Sequence, residues 1–154
     1  MNNDDFVAND ALSLFCGKLI GKGGSRLVYE NRLDKNSVIK LQYGNGLPMQ
    51  NIAEWQAWLE LQYCDAGKWL APCFFISNRG HVLIQAKTAK LSYDSYPQQI
   101  PAFLTDTKYE NFGLFDSRFV CHDYGQNLLM TIGSKLKLKK AAWYKAYDLD
   151  DLPN

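Results

Sequence analysis

Gly21-Lys22-Gly23-Gly24-Ser25-Arg26-Leu27-Val28 is the stretch on which the reading of this chain turns. Leu19-Ile20 leads into it as a strand, and residues 27–33 carry the chain back as a second one. Glycines at a strand turn let backbone N–H groups approach an anion with no side chain in the way. A glycine-rich hairpin is common by itself, so its meaning depends on its neighbours. Asp34-Lys35-Asn36 is turn chemistry, and residues 37–43 form a third run rich in β-formers. Side chains alternate along a strand, so Val38 and Lys40 share one face while Ile39 and Leu41 point the other way.

Working outward, Gly44, Gly46 and Pro48 break regular structure. Residues 51–64 then read as a helix, with Ile52, Trp55, Leu59 and Tyr63 as its apolar stripe. Glu54 shares the neighbouring face with Trp58 and Leu61. A carboxylate beside that much apolar surface needs a partner, and Lys40 on the preceding strand is the candidate. Two short strands follow, 73–77 and 81–85, around the turn Asn78-Arg79-Gly80. Residues 87–103 carry Pro97 and Pro101 and show no period, and a hairpin folds around Asp116-Ser117. A terminal helix is expected over residues 134–147, with Trp143, Tyr144 and Tyr147 packing back on the domain. Before the strands, residues 1–10 read as a loose leader, with Asp10 capping a short helix to Phe15. The order of elements predicts an α+β fold with an antiparallel sheet.

Composition narrows the function classes. A length of 154 residues suits one domain, and a hydrophobic content of 47% supports a core without metals or disulfides. Lys plus Arg number 17 against 16 Asp plus Glu, which gives no electrostatic reason to expect nucleic acid or an anionic membrane as partner. The basic run at Lys135, Lys137, Lys139 and Lys140 and the acidic Asp148, Asp150 and Asp151 read as solvated faces. Cys16, Cys64, Cys73 and Cys121 are scattered, without a Cys-x-x-Cys pair, and read as buried reduced thiols. The polar, acidic first ten residues do not form a signal-peptide pattern, and no apolar run nears the ~20 residues that span a bilayer. The expected location is cytoplasmic.

Two further motifs complete a set. Asp106-Thr107-Lys108-Tyr109-Glu110-Asn111 places an Asn five residues after an Asp, and Asp123-Tyr124-Gly125 follows the hairpin. A single loop Asp is commonly a turn former. An ordered series of glycine turn, strand Lys, helix Glu, Asp-x-x-x-x-Asn and Asp-aromatic-Gly is far harder to reach by accident. From about Lys18 to Gly125 the chain resembles the protein-kinase superfamily, matching its glycine-rich loop, strand lysine and Asp-Phe-Gly motifs in the family's order. Kinase-like proteins of phages and bacteria show a similar Gly-x-Gly-x-Ser-Arg-x-Val-Tyr pattern, which residues 21–29 fit.

The resemblance implies a kinase-like N-lobe, an antiparallel sheet plus one helix, over residues 18–86. It implies catalytic and metal loops over 87–125 and a strongly reduced C-lobe over 126–154, all in a single domain. ATP and Mg²⁺ are the implied cofactors. Gly21, Gly23 and Gly24 would cover the nucleotide phosphates, and Val28 and Val38 would line the base pocket. Lys40, oriented by Glu54, would hold the phosphates. Asn111 and Asp123 would ligate Mg²⁺, Asp106 would accept the proton of an attacking hydroxyl, and Lys108 would neutralise the transferred group. Arg26 stands where the family's loop has its third glycine, and either reaches a phosphate or folds back onto an acidic residue. Leu104-Thr105 replaces the usual His-Arg, and 29 residues after Gly125 (154 − 125) leave no room for a peptide-gripping lobe. Two functions are therefore expected: a small phosphotransferase acting on a protein or small-molecule hydroxyl, or a non-catalytic kinase-like module that binds a partner protein.

Overall fold

The computed structural model describes residues 3–43, 49–128 and 136–146. Helix α1 (Asn3–Phe15) runs into strand β1 (Cys16–Lys22), which pairs with β2 (Arg26–Asn31) across the glycine turn. Strand β3 (Ser37–Gln42) follows, then helix α2 (Gln50–Leu61) and the hairpin of β4 (Cys73–Ile76) and β5 (Val82–Ala86). These five strands form one antiparallel sheet in the order β1-β2-β3-β5-β4. Two small sheets follow among the described residues. Strand β6 (Gln99–Pro101) pairs with β9 (Leu138–Lys140), and β7 (Phe112–Phe115) pairs with β8 (Arg118–Cys121). The molecule is α+β, as the sequence predicts, and the described residues contain no helix long and apolar enough to cross a membrane.

Register explains which side chains meet. Val28 lies opposite Lys40 and Arg26 opposite Gln42, while Lys40 faces Leu83 and Val38 faces Gln85 on the other side. Residues opposite one another in an antiparallel pair point to the same face. One face of the sheet therefore carries Arg26, Val28, Val38, Lys40, Leu83 and Gln85. Leu83 joins Ala57 and Leu61 of α2 in a single core with Ile100, Phe103, Phe112, Cys121 and Tyr124 of the later segments. The turn between β4 and β5 sits directly on α2. Gly80 has φ +78, and a Cβ there would fall 2.5 Å from Ile52 Cγ1, so both backbone angle and space require glycine.

Four expectations are corrected. α1 begins at Asn3 rather than Asp10, since no glycine or proline interrupts residues 3–15. The buried face of α2 is Asn51, Glu54, Ala57 and Leu61, whereas Leu59 and Tyr63 of the expected stripe are exposed. The chain selects the face that satisfies its polar groups, not the one with the most apolar area. Over residues 136–146 there is no helix; the chain is extended and forms β9, and the rest of the expected helix lies outside the described residues. Cys73 and Cys121 are buried, but Cys16 is partly accessible and Cys64 exposed. The hairpin at Asp116-Ser117 is as expected: φ of 49 and 59 at these residues marks a two-residue turn of the kind that matches strand twist.

Candidate functional site

Glu54 is the hub of the predicted site. It is fully buried on α2, and its Oε2 accepts a hydrogen bond from Lys40 Nζ at 2.9 Å. Its Oε1 accepts from Arg26 Nη2 at 2.9 Å and from the backbone N–H groups of Tyr124 and Gly125 at 3.1 and 3.2 Å. One carboxylate thus joins β2, β3, α2 and the Asp123-Tyr124-Gly125 loop. Burial alone would raise its pKa, but the charges of Lys40 and Arg26 hold it down at about 2. Lys40 also donates to the carbonyl of His122.

Arg26 takes the second of the two courses open to it from sequence. It is 5% exposed and folds back, pairing with Glu54 and with Asp123 Oδ1 at 2.5 Å. The adjacent carboxylates hold its pKa above the ordinary arginine value against the effect of burial. Its Nη1 donates to Asn51 Oδ1 at 3.3 Å, and Asn51 Nδ2 in turn donates to the carbonyls of Lys40 and Gly80. Asn51 is not legible as a site residue in the sequence, although its spacing of three from Glu54 places both on one helix face.

The second half of the site comes from the β7–β8 hairpin. Pairing of Phe112 with Cys121 puts Asn111 and His122 side by side at its open end, where His122 N–H donates to Asn111 O at 2.8 Å. Asp123 is therefore one residue beyond the partner of Asn111, and its side chain is 43% exposed. Asn111 Nδ2 donates to the carbonyl of Asp106 at 3.3 Å, which closes the loop 106–111 on itself. Asp106 Oδ2 lies 3.6 Å from Lys108 Nζ, and Asp106 Oδ1 accepts a 2.5 Å hydrogen bond from the Tyr144 hydroxyl. Against burial, Tyr144, Lys108 and Asn111 keep the Asp106 carboxyl below its usual range.

The structure thus brings Arg26, Lys40, Glu54 and Asp123 into one ionic network, with Val28 and Val38 on the same sheet face. Asn111 is joined to that network through His122, and to Asp106 and Lys108 through its own loop. The glycine turn is pinned by Tyr43, whose hydroxyl donates to Gly23 O at 2.8 Å. A surface cleft of about 760 Å³ between Asp34, Phe74, Lys87 and Leu114 contains none of the predicted residues. Among the described residues no group of three His, Cys, Asp or Glu forms a ready metal cage. Tyr144 escapes sequence reasoning because it falls in a stretch that reads as helix, and its contact with Asp106 spans 38 residues.

Both ring nitrogens of His122 have partners, Thr88 Oγ1 and the carbonyl of Glu110, each at 2.7 Å. Burial, with Lys40 nearby, pushes its pKa down to about 4 from 6.5. The unfolded chain therefore binds a proton that the folded chain refuses between those values. Stability of the ligand-free protein is expected to fall as pH drops from about 6.5 to about 4, then to fall further from about 4.5 towards 2 as Glu54 is protonated. Urea midpoints across this range check it; His122→Gln should flatten the upper part of the decline and leave the lower part.

No family model matches the chain, and no curated protein proves similar to it.

Proposed function

We propose that the protein is a small phosphotransferase of kinase-like type that uses ATP and Mg²⁺. The observation that carries this reading is the buried Lys40–Glu54 pair, tied by Glu54 Oε1 to the backbone of Tyr124 and Gly125. That bond set fixes a lysine ammonium beside an Asp-aromatic-Gly loop, the juxtaposition that phosphate positioning needs. A five-stranded antiparallel sheet over one helix supports the N-lobe comparison. Residues 87–128 and 136–146 contain only short strands and 3₁₀ turns, in keeping with a strongly reduced C-lobe.

The residues present suit the implied groups. A Cβ at Gly24 would meet nothing within 4 Å and one at Gly23 only Arg26 O at 3.9 Å, and neither has a left-handed φ. Neither packing nor backbone angle requires glycine there, which fits a turn that a ligand approaches. Asp123 and Asn111 offer hard oxygen atoms of the kind Mg²⁺ takes and would be the residues that hold it. The metal supplies charge neutralisation on the phosphates. Lys40 holds and orients them, Asp106 receives the proton of the attacking hydroxyl, and Lys108 offsets charge beside it.

A specific observation favours the second reading, a kinase-like module that binds a partner without catalysis: the Arg26 guanidinium already occupies Asp123. Thermal unfolding with and without Mg²⁺-ATP separates the two, for wild type and Asp123→Ala. Ligand at about 100 times its Kd should add roughly 2.7 kcal/mol to the wild type. A Mg²⁺-dependent rise that disappears in Asp123→Ala is the expected result. Absence of any rise in the wild type would sink the phosphotransferase and leave the binding module.

A further inference from the structure

The segment expected to pack back on the domain as a helix does so as extended chain, against the loop that carries Asp106. Strand β9 pairs with β6 through Gln99–Lys140, Ile100–Lys139 and Pro101–Leu138. Beyond it, Trp143 enters a box of Tyr96, Tyr109, Phe112 and Phe119, with ring centroids 4.9–5.9 Å away, and donates its indole N–H to Pro97 O at 2.9 Å. The next residue is Tyr144. Its backbone is held on both sides: Tyr109 N donates to Tyr144 O at 3.0 Å and Tyr144 N to Thr107 O at 3.3 Å. Thr107 Oγ1 adds a 2.6 Å bond to Ala142 O. The segment therefore lies as a strand beside residues 107–109, in the manner of an extended peptide whose main chain supplies affinity.

This placement delivers the Tyr144 hydroxyl to Asp106 Oδ1 at 2.5 Å, with the tyrosine still 44% exposed. A hydroxyl in hydrogen-bond contact with a carboxylate, itself set by Asn111 and next to Lys108, is a nucleophile joined to its base. We propose that Tyr144 is the acceptor of the phosphoryl group, in an intramolecular transfer from ATP that Asp106 assists. The inference rests on the phosphotransferase reading and names its substrate: a tyrosine of the same chain, which needs no separate peptide-gripping lobe.

In the step, the Tyr144 oxygen bonds to the terminal phosphorus and the bond from that phosphorus to the bridging oxygen breaks. The electron pair leaves with ADP, and the hydroxyl proton passes to Asp106. Contact with Asp106 first of all pushes the Tyr144 pKa up to about 12, so the hydroxyl carries its proton at neutral pH and needs that base. The product places a phosphate beside the Asp106 carboxylate, where Lys108 lies ready to offset it.

The test uses the full chain, treated with phosphatase and then incubated with Mg²⁺-ATP, with sites mapped by peptide mass spectrometry and nucleotide binding followed by thermal shift. One phosphate per chain on Tyr144 is expected, at a first-order rate that does not depend on protein concentration. Tyr144→Phe, which keeps the ring and the backbone bonds, should lose the label and keep the nucleotide shift. Asp106→Asn should slow labelling by about 10²–10⁴-fold with the shift retained. A nucleotide shift with Tyr144 unmodified, or with label elsewhere, overturns the acceptor assignment and leaves the phosphotransferase standing. No nucleotide shift in the wild type overturns both.

Discussion

Glu54→Gln is expected to lower the unfolding free energy by about 3–5 kcal/mol, the cost of breaking a buried ion pair from one side. The carboxylate is fully buried and serves four donors, two of them cationic. An amide of the same shape has one oxygen, so it serves the donors on one side of the group and presents N–H to those on the other. Lys40, 3% exposed, and Arg26, 5% exposed, would be left with charge that the sheet face cannot solvate. Arg26 retains Asp123, whereas Lys40 retains a neutral carbonyl, that of His122. Since whole domains are stable by only about 5–15 kcal/mol, the variant should sit close to the unfolding threshold at body temperature. Urea denaturation at neutral pH measures it. A loss under about 1 kcal/mol, the scale of an ordinary exposed pair, would mean that the network rearranges and that Glu54 does not organise it.

Gly67→Ala should be almost as damaging, for a reason that has nothing to do with charge. Gly67 is buried in the 3₁₀ turn Asp65–Trp69 that packs under the end of α2. A Cβ there would lie 2.1 Å from the carbonyl oxygen of Leu61 and 2.7 Å from its carbon. Both obstacles are backbone, so no rotamer change relieves them, and that carbonyl also accepts from Cys64 N at 3.0 Å. The turn or the helix end must shift. Overpacking costs about 1–3 kcal/mol where side chains can adjust, and the upper end or beyond is expected here. Gly24→Ala is the matched control: with open space around it, its effect on stability should stay within about 0.5 kcal/mol. Calorimetric midpoints of the two variants, side by side, decide the matter.

Local chemistry is legible in the sequence wherever it is decided locally. Val38 and Lys40 alternate with Ile39 and Leu41, and the sheet register keeps that alternation. The need of Glu54 for a partner follows from its apolar neighbours, and Lys40 supplies it. The turn at Asp116-Ser117 is readable from two small polar residues between β-forming runs. Pairing at long range is what sequence does not show. Residues 134–147 are rich in Lys, Ala and Leu, whose helix propensity is real but weak. Strand β6 is short and lies far from β9 along the chain, so nothing nearby signals that it will claim the segment. The same blindness hides Tyr144 from Asp106. On α2, periodicity picks out the apolar stripe, while the structure buries the face on which Asn51 and Glu54 bind Arg26 and Lys40.

The aromatic box around Trp143 has an optical consequence. An indole held edge-on to Tyr96, Phe112 and Phe119 and stacked on Tyr109 is fixed in a chiral array of transitions. Such an array gives near-ultraviolet circular dichroism that vanishes once the ring turns freely. Trp143 immediately precedes the tyrosine whose hydroxyl rests on Asp106, so the protein carries an unlabelled gauge of whether that segment is seated, readable in solution while nucleotide is added.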